Sequence, residues 1–206
     1  FLDFHLKMGE GVLIAREDTT VLVETAAKLI QTKQATILDL CAGTGAVGLG
    51  IASLLSTAHV TCVEKYAPAF AYLQQNIALC KEQGIENVVA LQGDIFSEAF
   101  ASAFQDIDTI VSNPPYIETA VLPTLQEEVQ KEPTTALDGG EDGLLFYRAI
   151  ADIWIPKIKT GGIVAVEIGE GQETAVARLF ADAGVEQIQF EKDSGNIIRV
   201  VAGIKK

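Results

Sequence analysis

Residues 111 to 118 read Val-Ser-Asn-Pro-Pro-Tyr-Ile-Glu, and the tetrapeptide Asn113-Pro114-Pro115-Tyr116 follows directly on the apolar run from Ile107 to Val111. An amide or exocyclic amino nitrogen is a poor nucleophile because its lone pair is delocalised into the neighbouring π system. The Asn113 side-chain carbonyl and the Pro114 backbone carbonyl can each accept one N–H of such an NH2 group, which fixes the nitrogen and steers electron density towards a methyl donor. That is positioning with electrostatic stabilisation, and it needs no strong base. Two successive prolines fix φ and remove two backbone donors, so the loop is stiff and presents acceptors. Tyr116 is then placed to cover one face of the flat group. The same four residues also read as a plain Pro-Pro turn closing a strand, with Asn113 as a turn residue and Tyr116 as rim packing.

Upstream, Ala35 to Leu40 form a short apolar run of the kind that makes a buried parallel strand, and they lead into Cys41-Ala42-Gly43-Thr44-Gly45-Ala46-Val47-Gly48 and a helical stretch. Gly43, Gly45 and Gly48 match G-x-G-x-x-G, and Glu64 closes the next apolar run where an acid would hold ribose hydroxyls. A nicotinamide dinucleotide site competes with this reading. Against it stand Asp39, at the strand end before the glycines and suited to a cofactor with a cationic amino-acid end, and the Asn-Pro-Pro-Tyr element, for which a dehydrogenase has no use.

Taken together, these motifs resemble a class I S-adenosylmethionine-dependent methyltransferase, and within that group the HemK/PrmC family, which methylates a glutamine side-chain amide in peptide chain release factors. The resemblance extends over essentially the whole chain. Leu13-Ile14-Ala15-Arg16-Glu17-Asp18-Thr19-Thr20 and the following Val21-Leu22-Val23-Glu24 are similar to the family's Leu-Ile-Pro-Arg-Pro-Asp-Thr-Glu segment. Glu132-Pro133 to Leu144 with Phe146-Tyr147-Arg148, Glu167-Ile168-Gly169 with Gln172, and Asp193-Ser194-Gly195-Asn196 with Arg199 fit as well. Ala15, Glu17 and Thr20 stand where the family shows Pro, Pro and Glu, and Cys41-Ala42 replaces its Gly-Thr opening. With two prolines gone, residues 11–20 are expected to be more mobile than the sheet.

The resemblance implies S-adenosylmethionine as cofactor, no metal, and a release factor with a Gly-Gly-Gln loop as protein substrate. It implies catalytic roles for Asn113, Pro114 and Tyr116, substrate binding by these three and Pro115, and cofactor contacts from Thr19, Asp39, Gly43, Gly45, Glu64, Asp94, Ile95 and Asn113. Each has a plainer alternative. Asp39 could only brace the glycine loop, Thr19 could cap the first helix, and Asp94 could be a helix N-cap. Glu132 and Asp142 are expected to organise the long loop from Ile117 to Gly143, which is too long for a simple connector and is assigned a part in holding the substrate peptide. Glu167 reads as structural.

The rest of the chain must position these residues. The pattern predicts helices at Thr19 to Gln31, Ala46 to Leu55, Ala67 to Gln83, Gly143 to Ile158 and Glu173 to Ala183, with a short one after Asp94-Ile95-Phe96. Strands are predicted at Thr36 to Leu40, His59 to Glu64, Val88 to Gln92, Ile107 to Ser112, Ile163 to Glu167, Glu186 to Lys192 and Ile197 to Gly203. This alternation makes a Rossmann-like α/β fold, a mostly parallel sheet with helices on both faces and an antiparallel C-terminal edge hairpin; seven strands follow from the resemblance. Residues 1–18 are read as linker and first short strand, and residues 19–206 as the catalytic domain. The start at Phe1 without Met, and the helical domain that precedes this segment in the family, point to a longer protein.

At 206 residues and 49% hydrophobic, the chain is long enough for one buried α/β core. Neither a membrane span nor a signal peptide is visible in the sequence, and a cytoplasmic location is expected. Cys41, Cys62 and Cys80 lack metal spacing and are expected to be reduced. The net charge of −13, from 28 acidic and 15 basic residues, disfavours nucleic acid as direct substrate. Two other functions stand beside the main reading: methylation of an adenine or guanine amino group in RNA or DNA, and a non-catalytic nucleotide-binding interaction module.

Overall fold

A computed structural model describes residue 2 and residues 4–206. Seven strands form one sheet: β1 (Thr36–Leu40), β2 (His59–Glu64), β3 (Val88–Gln92), β4 (Ile107–Ser112), β5 (Ile158–Glu167), β6 (Val185–Lys192) and β7 (Ile198–Lys205), in the order β3-β2-β1-β4-β5-β7-β6. The first five pair in parallel, and β7 runs antiparallel between β5 and β6. The predicted fold class is therefore the one observed, with the C-terminal hairpin at one edge.

Alternation along each strand sends side chains to opposite faces. Ile37, Val60, Val111 and Ala165 join one buried cluster, which is covered by α1 (Thr19–Leu29), α2 (Ala46–Leu54) and α3 (Ala67–Glu82). Leu38, Val63, Ile110 and Val166 join the other, beneath α4 (Glu98–Ala101), α6 (Leu145–Ala149) and α7 (Glu173–Asp182). A further short helix, α5 (Glu127–Gln130), lies in the long loop after β4.

Three differences from the predicted elements have local causes. The helix expected from Gly143 to Ile158 is α6, then a π turn at Ile150–Trp154 and a 3-10 turn at Ile155–Lys157, where Pro156 supplies no N–H to continue an α-helix. Strand β5 begins five residues earlier than expected, because its pairing with β4 shifts between Ile107↔Ile158 and Thr109↔Ile163 and absorbs Gly161-Gly162 inside the strand rather than in a turn. Third, the described part of residues 1–18 makes no strand, while Phe1 and Asp3 lie outside the described residues. There the Asn76 side chain replaces a neighbouring strand: its Oδ1 accepts from Lys7 N at 2.7 Å and its Nδ2 donates to Lys7 O at 3.0 Å.

The chain moves outward from β1 to β2 and β3, then returns to lay β4 on the other side of β1. Strand order reverses there, and in open α/β sheets the crevice beyond the carboxyl ends at such a point is where ligands bind. Ser112 Oγ donates to Leu40 O at 2.6 Å and ties the two strand ends together.

Candidate active site

Two cavities open beyond those strand ends. The larger when its solvent-facing mouth is counted, about 960 Å³ on that measure, is lined by Thr19, Asp39, Cys41 to Thr44, Glu64 to Tyr66, Gly93 to Phe96, Asn113 and Pro115, with Leu13 and Ala136. The second, about 680 Å³ measured likewise, is lined by Arg16, Pro114, Tyr116, Ile117, Leu125, Val129 and Glu167. Leu13, Asn113 and Ala136 line both, so Asn113 forms part of the wall between them.

In the larger cleft, Asp39 is 1% exposed, and its Oδ2 accepts from Gly48 N at 2.8 Å. Burial pushes its carboxyl up to about 7, partly offset by that N–H and by the Cys62 thiol. Glu64 is also raised by burial; its Oε2 accepts from Gly43 N at 2.8 Å and its Oε1 from Tyr66 N at 2.7 Å. With Lys65 N acting on it as well, the carboxylate still keeps a lone pair for a further donor such as a hydroxyl. Burial pulls Asp94 upward too, but Lys65 Nζ at 2.8 Å and Phe96 N at 3.0 Å outweigh it and hold its carboxyl below the ordinary range. Asp94 is not a helix cap, because Ser97 fills that place at α4 and its hydroxyl accepts from Phe100 N.

Not every expected contact lines the cleft. Gly45 takes φ +89° as the residue preceding α2, and an added Cβ would meet Leu73 Cδ1 at 2.6 Å, so it is a packing position. Gly43 differs, since a Cβ there would meet nothing within 4 Å and the loop is open towards the cleft. Thr19 is the first residue of α1 and makes no cap bond; its Oγ1 instead accepts from Asn113 Nδ2 at 3.3 Å. Pro115 faces the larger cleft, whereas Pro114 and Tyr116 face the second cavity.

The second cavity is built by contacts across the long loop. Ile117 N donates to Leu137 O at 2.9 Å and Gly139 N to Ile117 O at 2.8 Å, which folds the loop back onto the Asn-Pro-Pro-Tyr segment. The chains approach so closely that a Cβ on Gly143 would lie 2.5 Å from Tyr116 O. Gln172 Nε2 donates to Tyr116 O at 3.0 Å while its Oε1 accepts from Gly169 N at 2.9 Å, so this side chain fixes the end of the tetrapeptide. Burial and the Glu167 charge raise the Tyr116 hydroxyl to about 12. Glu132 pairs with Arg16 Nη2 at 2.9 Å and thereby joins the long loop to the segment before α1. Asp142 binds Arg148 through both carboxylate oxygens, so it braces the loop. The sequence marks Gln172 only as part of the resemblance and Glu167 only as structural; the hold of Gln172 on Tyr116 O and the place of Glu167 in the cavity wall emerge from the fold.

The larger cleft fits S-adenosylmethionine by its donor set. Two buried carboxylates, Asp39 and Glu64, face a space whose one cationic lining residue, Lys65, is already paired with Asp94. That balance favours a cationic ligand carrying hydroxyls. Among the described residues no group of three or more His, Cys, Asp or Glu side chains is placed to hold a metal ion, no helix is long and apolar enough to cross a membrane, and the three cysteines are unpaired with one another.

Known proteins resemble this chain in sequence and in fold. A family model described as Conserved hypothetical protein 95 matches residues 18–146. The release factor glutamine methyltransferase of Thermodesulfovibrio yellowstonii is 37% identical over 205 residues, covering 98% of this chain and 71% of the relative. That of Geobacter sulfurreducens is 39% identical over 204 residues, covering 98% and 69%. Among solved structures, a methyltransferase from Pyrococcus furiosus aligns with a TM-score of 0.69 at 17% identity over 97% of this chain and 88% of that one, a likeness of fold.

Proposed function

The chain belongs to the family of release factor glutamine methyltransferases, as well as to the one described as Conserved hypothetical protein 95, and from that membership we propose that it transfers a methyl group from S-adenosylmethionine to a glutamine side-chain nitrogen in a peptide chain release factor. The observation that carries the proposal is Asn113 in the wall between two cavities, with its Nδ2 engaged by Thr19 and its Oδ1 left as an acceptor.

In this reading Asp39 holds the cationic amino-acid end of the cofactor, Glu64 the ribose hydroxyls, and Asp94 with Ile95 the adenine side. When bound, S-adenosylmethionine supplies an electrophilic methyl group. The chain's own residues prepare the acceptor: Asn113 Oδ1 and Pro114 O take the two N–H groups of the glutamine amide, and Tyr116 packs on its plane. The stiff Pro114-Pro115 backbone, held through Gln172, keeps these acceptors in place without reorganisation during the reaction. No covalent enzyme intermediate is required.

Charge supports a protein rather than a nucleic-acid acceptor. Among the described residues, only Lys65 and Arg16 of the basic ones line the two cavities, and each is already paired, with Asp94 and Glu132. Phosphate contacts call for free Lys and Arg. A release-factor substrate places the reaction in the cytoplasm. The test is transfer of labelled methyl from S-adenosylmethionine to a purified release factor, to the same factor with its loop glutamine changed to alanine, and to bulk RNA and DNA, followed by mass spectrometry. Label on the loop glutamine is expected; label on nucleic acid alone would overturn the substrate.

A further inference from the structure

Glu167, the last residue of β5, is 4% exposed and lines the second cavity, and its Oε2 is buried without a hydrogen-bond partner. Its backbone belongs to the sheet: Glu167 O accepts from the Tyr147 hydroxyl at 2.9 Å, and the residue lies opposite Val200 of β7. A carboxyl group at this site does nothing for the sheet that a buried apolar side chain would not do at lower cost. It lines that cavity together with Asn113, and Thr19 and Asn113 are the neutral side chains that lower its carboxyl against burial.

The oxygen and nitrogen of an asparagine amide have nearly the same shape, so their partners decide which way the group faces. Thr19 Oγ1, 3.3 Å from Asn113 Nδ2, does not decide it, because a hydroxyl donates as readily as it accepts. An ionised carboxylate only accepts. Next to one, the Asn113 NH2 must turn inward and the Oδ1 outward.

We propose that Glu167 is a positioning residue for the methyl acceptor: together with Thr19 it holds the Asn113 amide with Nδ2 inward, so that Oδ1 is presented to the nitrogen that receives the methyl group. This rests on the function proposed above and adds to it a pH dependence of turnover. A protonated Glu167 can donate to Asn113 Oδ1 and hold the amide in the opposite sense, which turns a donor towards the substrate nitrogen.

Burial raises the Glu167 carboxyl to about 7, against the lowering effects of Thr19, Arg199 and Asn113. The charged and titratable groups around it are Arg199 on β7, Asp18 before α1, Arg16 in the same cavity, Tyr116 after β4 and Tyr147 on α6. Both tyrosines are held above their ordinary range, chiefly by burial, so neither ionises near neutrality. The sign follows: turnover requires the ionised form, is complete above the Glu167 pKa and falls about tenfold for each pH unit below it.

The experiment compares the wild-type chain with Glu167→Gln in kcat against pH, at saturating S-adenosylmethionine so that Asp39 is held ionised by the bound cation, with a purified release factor as acceptor. Cofactor dissociation constants and thermal unfolding are measured alongside. An uncharged carboxamide in place of the carboxylate offers both a donor and an acceptor and does not titrate. The variant should therefore lose the acid limb and turn over about 10- to 100-fold more slowly at its plateau, with cofactor affinity nearly unchanged. An active wild type with the same acid limb in the variant overturns the inference and leaves the function standing. If the variant does not fold, the wild type decides alone, since a kcat that stays flat from about pH 5.5 to 8.5 also overturns it. A wild type that methylates no release factor at any pH overturns the function and this inference together.

Discussion

Gly48, in the first turns of α2, tests whether the floor of the cofactor cleft is as tightly filled as its contacts imply. A Cβ there would lie 2.3 Å from Cys62 Sγ, 3.0 Å from Asp39 Oδ2 and 3.3 Å from Val60 Cγ1. The first contact is far too short, and Cys62 and Val60 are fully buried, so none of the three can retreat into solvent. Overpacking of this kind costs about 1–3 kcal/mol. Alanine returns about 1 kcal/mol through helix propensity, which leaves a net loss of up to about 2 kcal/mol for Gly48→Ala. For a chain of this size that lowers Tm by up to about 8 °C. Because Gly48 N also donates to Asp39 Oδ2, pushing α2 away from β1 should weaken cofactor binding as well. Removing the sulfur by Cys62→Ala makes room, so the double variant should be more stable than the two single losses predict, by about 1 kcal/mol. The assay is urea and thermal unfolding of all four forms, with cofactor affinity by calorimetry. Losses that add to within about 0.5 kcal/mol would show that the sulfur is not what the new methyl meets, and the reasoning would fail.

Cofactor affinity should fall about tenfold per pH unit below 7, where Asp39 must give up a proton to meet a cation, and should be flat above it; Asp39→Asn should bind weakly at every pH, and calorimetry in buffers of different ionisation enthalpy would read the released proton. Asn113→Ala should reduce kcat by about 10²- to 10³-fold while changing cofactor affinity only slightly; normal turnover at saturation with cofactor binding lost would contradict its assignment. Arg16→Ala leaves Glu132, 7% exposed at its side chain, without its partner, whereas Arg16 itself is 50% exposed and its pair is screened. A loss of about 1 kcal/mol is expected, with faster hydrogen exchange confined to residues 9–18 and 126–139; exchange that rises evenly across the sheet would count against a latch between those two segments.

Most of the sheet was legible because each parallel strand is a short apolar run bounded by punctuating residues. The ends of β1, β2, β3 and β4 fall where the pattern predicts. Legibility failed where a local rule had a competitor. Gly161-Gly162 has the composition of a turn, but the irregular pairing with Ile107 to Thr109 accommodates it inside β5. The first residues look like a strand, yet the side chain of Asn76, far along the chain, takes over their pairing. At the site, Asp39, Glu64 and Asn113 were readable because each lies at a strand end near the place where order reverses. Glu167 also ends a strand, but its place in the same cavity as Asn113 depends on the pairing of β5 beside β4, and no spacing in the sequence encodes that.

The shared wall at Asn113 also bears on inhibition. A single residue's thickness separates the space suited to an adenosyl group from the space suited to a peptide amide, so one molecule can occupy both through a very short tether. The second half of such a ligand binds intramolecularly, and a well-fitted tether can raise affinity by about 10²- to 10⁴-fold over either half alone. Such a ligand would gain its selectivity from the peptide half to the extent that this half reads the loop-built walls of the second cavity.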